Sequence, residues 1–182
     1  MTLDIPGYKA GTYVLDPAHS EVGFEVRHMM ISKVRGQFAV KEATITLPEN
    51  VLEASVAAKV EVASIDTGDD GRDAHLRGED FFDAEKFPYM TFESTAVRAD
   101  GDDVLVDGDL TIKGVTKPVT FELELGGFGT DPWGNYKAGA TAVGKIDRES
   151  FGLTWNASLE TGGVLVGKDV KITLDLQGAL QA

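Results

Sequence analysis

The sequence predicts an all-β domain: antiparallel strands closed into a barrel, with one short helix. Three observations lead there. Apolar and polar residues alternate with period two along much of the chain, as they do in strands with one buried face. The alternating segments recur at fairly regular spacing between turn signals, and a closed sheet leaves no long unpaired edges, so a barrel is favoured over a sandwich. Only the stretch from Asp69 to Phe82 lacks the alternation. A chain of 182 residues, 42% hydrophobic and 26% charged, fits one domain spanning residues 1–182, and no composition shift marks a linker.

Taken in order, Val22, Phe24 and Val26 define a strand with His28 on the same inward face and Arg27 pointing out. Val34 through Leu47 reads as another. Val56, Ala58, Val60 and Val62 set against Lys59 and Glu61 read as a third, with a bulge or two along these segments. From Asp69 to Phe82 the placement of Ala74, Leu76, Arg77 and Phe81 suits a short helix that Asp69 or Asp70 can cap. Phe81, Phe82, Phe87, Tyr89 and Phe92 form the densest aromatic stretch, either a core anchor beneath that helix or a ligand wall. Asp100-Gly101-Asp102-Asp103 is a hairpin turn. Val104, Val106, Leu110 and Ile112 then pair with Val119, Phe121, Leu123 and Leu125 across a turn at Gly114–Pro118. Asp131–Asn135 is a longer loop. The next strand lines up Tyr136, Ala138, Ala140, Ala142 and Ile146, where small side chains leave space. Val170, Ile172, Leu174 and Leu176 alternate with polar residues and close the fold.

Composition narrows the function. With 30 acidic and 17 basic residues the net charge is -13, which disfavours nucleic-acid partners. The absence of cysteine removes disulfides and thiolate chemistry. No apolar run approaches the roughly 18 residues of a membrane-spanning helix, so membrane contact is at most peripheral. Met1–Gly7 lacks the features of a secretory signal, which makes a cytoplasmic location the expectation.

Several motifs are decoys. Gly162–Lys168 has the spacing of a phosphate loop, but Asp169 replaces the hydroxyl residue and a strand, not a helix, comes next. His19, His28 and His75 match no zinc spacing, and Asp66–Gly71 lacks the ligand order of a calcium loop, so neither metal nor cofactor is expected. Ser20 beside His19 is not a nucleophile and base by adjacency alone. The run Arg27–Arg35 is basic and free of acids within an acidic protein, so it is a candidate for an anionic head group, against the alternative of surface charge at a strand end.

Asp16-Pro17-Ala18-His19-Ser20-Glu21-Val22-Gly23-Phe24-Glu25-Val26-Arg27-His28-Met29-Met30, followed by Val34-Arg35-Gly36-Gln37-Phe38, resembles the YceI-like polyisoprenoid-binding family. His75-Leu76, Phe81–Pro88, Gly114–Val119 and Gly162–Gly167 extend the likeness over nearly the whole chain. The resemblance implies a lipocalin-like antiparallel β-barrel of about eight strands with one short helix, often a homodimer. It also implies non-catalytic binding, carriage or storage of a polyisoprenoid or another long-chain amphiphile. On that reading the ligand lies against Phe24, Val26, Met30, Phe38, Phe82, Met90, Phe92, Phe121, Leu123, Ala140 and Ile172, with its head near Arg27, His28 and Arg35. The alternative is an enzyme acting on a small hydrophobic substrate in the same cavity, with His28 or His19 as general base.

Overall fold

The computed structural model describes residues 4–182 except Asp102 and Thr161. Ten strands form one antiparallel sheet: β1 (Gly11–Leu15), β2 (Glu21–His28), β3 (Ser32–Phe38), β4 (Val40–Leu47), β5 (Ser55–Glu61), β6 (Tyr89–Asp100), β7 (Asp103–Ile112), β8 (Val115–Thr130), β9 (Tyr136–Asp147) and β10 (Val166–Leu180). The one α-helix among the described residues, α1 (Asp70–Arg77), lies in the β5–β6 connection.

These strands make an eight-staved barrel because two staves are each built from two pieces. β10 pairs with β2 through Val166–Asp175 and with β1 through Gly178–Leu180, so β1 and β2 are one stave broken at Pro17–His19. β3 pairs with β2 and β4 with β1, so β3 and β4 form the next stave. The remaining strands follow in chain order, and the β1–β10 pairing closes the ring.

Val34–Leu47, expected as one strand, is therefore divided at Ala39. The Ala39 N–H is taken by Ser64 Oγ at 2.8 Å, and Gln37 exchanges backbone hydrogen bonds with Asp66. The segment after β5 thus fills the gap where the β2–β3 hairpin splays away from β5. A second difference concerns the β7–β8 turn, expected at Gly114–Pro118. Lys113 (φ 51°) and Gly114 (φ 77°) alone make it, a two-residue loop whose positive φ values match the twist of the flanking strands. Pro118 already lies within β8 opposite Asp109. It is tolerated there because β8–β9 pairing begins only at Glu122, and no neighbour needs the missing N–H.

The two ends of the barrel are closed differently. At one end Tyr8, Tyr13, Phe128 and Tyr136 pack edge-on or stacked at centroid distances of 5.7–6.3 Å, and the Tyr13 hydroxyl donates to Lys9 O at 2.9 Å. The opposite end carries α1, the β2–β3 and β7–β8 turns and the long β9–β10 connection. There Asp69 caps α1 by accepting from Arg72 N at 2.9 Å, as the sequence predicts. His75, Phe81 and Trp155 pack together at 4.9–5.4 Å and tie the helix to the β9–β10 connection. The stretch Gly162–Lys168 turns into β10 and opens no helix.

Candidate functional site

The barrel holds an apolar lumen with a volume of about 220 Å³. Inward positions of every stave contribute: Leu15, Phe24 and Val26 from the first; Phe38, Val40 and Ile45 from the second; Ala58 and Val60 from β5; Met90 and Phe92 from β6; Val106 and Leu110 from β7; Phe121 and Leu123 from β8; Ala142 from β9; Ile172 and Leu174 from β10. Leu76, Phe81 and Phe82 enter from α1 and the turn after it. Among the described wall residues Thr91 and Arg148 alone carry polar side chains.

The lumen stays open because its large rings lie over glycines. A Cβ built at Gly36 would sit 2.4 Å from Phe24 Cζ, one at Gly108 would sit 2.3 Å from Phe92 Cζ, and one at Gly144 would sit 2.7 Å from Phe121 Cδ1. Each distance is far inside the 3.5–4.0 Å of an ordinary carbon contact, so the ring occupies the space of the absent side chain. The rings are thereby laid along the wall instead of across the bore. They also brace one another, with Phe92 on Phe121 at 5.4 Å, Phe24 on Phe38 at 5.5 Å and Phe38 on Phe82 at 5.5 Å.

Among the described residues Arg148 is the one charge on the wall, and it is only 3% exposed. Its Nε donates to Gly167 O at 2.8 Å, Nη1 to Leu153 O at 2.5 Å and Trp155 O at 3.0 Å, and Nη2 to Val166 O at 3.2 Å. Burial pulls its pKa below the ordinary value, with Glu149 and Asp147 acting in the opposite direction. The guanidinium is committed to folding the β9–β10 connection over the barrel end, so the lumen meets its aliphatic stem. Asn156 completes this fastening, accepting from Val166 N at 3.0 Å and donating to Val166 O at 2.7 Å.

Of the residues singled out in the sequence, Phe24, Val26, Phe38, Phe82, Met90, Phe92, Phe121, Leu123 and Ile172 stand on the lumen wall. Ala140 lies farther along β9, beside a more open groove shared with His19, Asp131 and Lys137. The basic candidates stand outside the lumen. Arg35 and Lys33 pair with Glu25 at 3.1 and 2.8 Å, and Arg27 Nη1 donates to Met30 O at 3.4 Å. His28 pairs in register with Val166 one position above the wall residue Val26 on the inward face, and Met30 is at the exposed hairpin tip. His19 bonds Asp16 at 2.7 Å, which holds Asp16 below the usual carboxylate range, and His75 bonds Asp80 at 2.9 Å. No cluster of three or more metal-ligating side chains occurs among the described residues, and no helix among them is long and apolar enough to cross a membrane.

Sequence reasoning missed Arg148, Leu76, Leu153 and Val166 as wall residues. Leu76 carried a signal, since it is the one large apolar residue of a polar helix. Arg148, between Asp147 and Glu149, reads as ordinary surface charge.

Comparison with known proteins places the chain. The YceI-like domain matches residues 13–178. A UPF0312 protein of Staphylococcus aureus (strain bovine RF122 / ET3-1) is 40% identical over 161 residues, covering 87% of this chain and 92% of the relative. Another, from Photorhabdus laumondii, is 41% identical over 150 residues, covering 82% and 73%. Among solved structures, BcnA of Burkholderia cenocepacia superposes with a TM-score of 0.75 at 27% identity, covering 90% of this chain and 98% of BcnA. A polyisoprenoid binding domain from Saccharophagus degradans shares the fold, with a TM-score of 0.67 at 16% identity over 95% of this chain and all of that one. The sequence relatives and the match from Tyr13 to Gly178 establish that this chain belongs to the YceI-like family.

Proposed function

We propose that the protein binds and carries a polyisoprenoid or similar long-chain amphiphile in its barrel lumen without altering it. The observation that carries this reading is the apolar wall, in which the only charged side chain among the described residues directs its donors at backbone carbonyls. Each methylene moved from water to such a wall contributes about 0.8 kcal/mol, so a tail of ten carbons gains about 8 kcal/mol. The polyisoprenoid-binding relative from Saccharophagus degradans supports the ligand class. The alternative, an enzyme using His28 or His19 as general base in the lumen, is disfavoured because neither histidine is among the described wall residues.

The tail is assigned to Phe24, Val26, Phe38, Phe82, Met90, Phe92, Phe121, Leu123 and Ile172. The head group is assigned to the rim near His28, because the described wall residues offer no free cation to an anion inside. Arg27 and Arg35, which face away from the bore, would meet a head only after it clears the rim. Titration with a series of prenyl alcohols and their pyrophosphates tests this. Affinity should climb with chain length and change little between alcohol and pyrophosphate. Affinity set by the head and indifferent to length would refute a tail-binding lumen.

A further inference from the structure

We infer that the tip of the β2–β3 hairpin is a membrane-docking element that seats the helix-bearing end of the barrel on a phospholipid bilayer. The tip is Met29-Met30-Ile31, with fractional exposures of 43%, 56% and 82%, and Val164 beside it is 41% exposed. Half of the eight exposed large hydrophobic residues among those described therefore gather at one convex point. Met30 leans on Gly163 of the β9–β10 connection, so the two loops form one apolar knuckle.

The backbone of the tip is unusual for its residues. Met29 has φ 55° and Met30 φ 60°, and Ile31 N donates to His28 O at 3.3 Å, which makes a tight turn with two left-handed central residues, the kind that Asn-Gly fills best, inside the three-residue connection between His28 and Ser32. Methionine at both left-handed positions is a steric cost, and against it the fold sets only the contact of Met30 with Gly163, leaving Met29 43% and Met30 56% exposed. The cost is understandable where flexible, apolar side chains are needed on the outside.

Charge selects the partner. From Val26 to Gln37 the hairpin holds Arg27, His28, Lys33 and Arg35 and no acid; Glu25 just below pairs with Lys33 and Arg35, and the hairpin still keeps a net positive charge in a chain that carries -13 overall. Lipid phosphates are the counterpart that an apolar tip flanked by cations fits, as at membrane interfaces. A second copy of the chain fits worse. Symmetric pairing would bring these cations together, and four side chains on a narrow turn fall well short of the roughly 800 Å² per partner of a stable interface. Val26 and Val166, a few residues below the tip, already belong to the lumen wall, so a docked hairpin would bring the end of the lumen to the bilayer.

The biological purpose rests on the lipid-carrier reading, whereas the docking does not. The test is flotation of the full chain with phosphatidylcholine vesicles, with and without phosphatidylglycerol, alongside a lumen-binding titration with a fluorescent long-chain alcohol. The variant is Met29→Asn/Met30→Gly/Ile31→Thr, which suits the turn better than the native residues and so should leave the fold intact. The native chain should float with vesicles, more strongly with phosphatidylglycerol, and the variant should lose at least about tenfold in partitioning while binding the alcohol as before. A native chain that stays unbound to both vesicles overturns the inference, as does a variant that floats equally well. So does a change from dimer to monomer in the variant without vesicle binding by the native chain, which would assign the tip to self-association. Vesicle binding without alcohol binding would uphold docking and count against the carrier.

Discussion

Replacing Gly144 by alanine adds one methyl group that the wall cannot absorb. Its Cβ would meet Phe121 Cδ1 at 2.7 Å and Cε1 at 2.8 Å, with Thr120 O at 3.3 Å. Restoring ordinary carbon contacts requires the Phe121 ring to move by about 1 Å. The sheet lies behind the ring and the lumen in front, so the displacement goes into the bore. The open side keeps the stability loss near the lower end of the roughly 1–3 kcal/mol typical of overpacking. The ligand loses more than the fold. Excluding one or two methylenes from the wall weakens binding by about 0.8–1.6 kcal/mol, or about 4- to 15-fold. Gly108→Ala provides the contrast, since its Cβ would also strike Glu93 O at 2.6 Å, a backbone clash that no ring movement relieves. It should destabilise the fold clearly more than Gly144→Ala. The assay is displacement of a fluorescent amphiphile by farnesol and geranylgeraniol, paired with thermal unfolding. Unchanged affinity for both alcohols in Gly144→Ala, with the fold intact, would refute the claim that rings seated on glycines define the bore.

Other perturbations test the same geometry. Arg148→Met strips donors from the carbonyls of Leu153, Trp155, Val166 and Gly167, and chemical denaturation should show a loss of at least about 3 kcal/mol, with the β9–β10 connection becoming protease-sensitive. Outside the barrel, Arg98 grips Asp107 through two hydrogen bonds of 2.7 and 3.1 Å, and with help from Thr120 it lowers the carboxyl from 3.8 to about 2. A depressed pKa stabilises the fold above the unfolded value. The stability advantage of the native chain over Asp107→Asn should therefore be full above about pH 4 and disappear as the pH falls toward 2, as followed by thermal melts across that range.

The strands legible in the sequence are those whose outward face is polar. Val119, Phe121, Leu123 and Leu125 alternate with Thr120, Glu122 and Glu124, and that pattern also placed Phe121 and Leu123 on the wall. β1 is hard to see in the sequence because it is five residues long and its outward Val14 is itself apolar, which blurs the alternation. β6 is hidden among the aromatics near its start and by a bulge between Ser94 and Ala96 that reverses the parity of the residues after it. Ala39 interrupts its stave through a hydrogen bond to Ser64, 25 residues away, and Arg148 meets carbonyls up to 19 residues on. Contacts of that kind leave no periodic trace. The glycine–ring pairs are also tertiary: Gly36 faces Phe24 across a hairpin, but Gly144 and Phe121 meet only once β8 and β9 are in register.

The central claim is that the lumen holds a long apolar tail, and native mass spectrometry of the protein as purified from its expression host tests it most directly. The account predicts a population heavier than the polypeptide by one long-chain lipid, removed by organic extraction and restored by adding a polyprenol or a fatty amide. A single species at the polypeptide mass, unchanged by either addition, would contradict it.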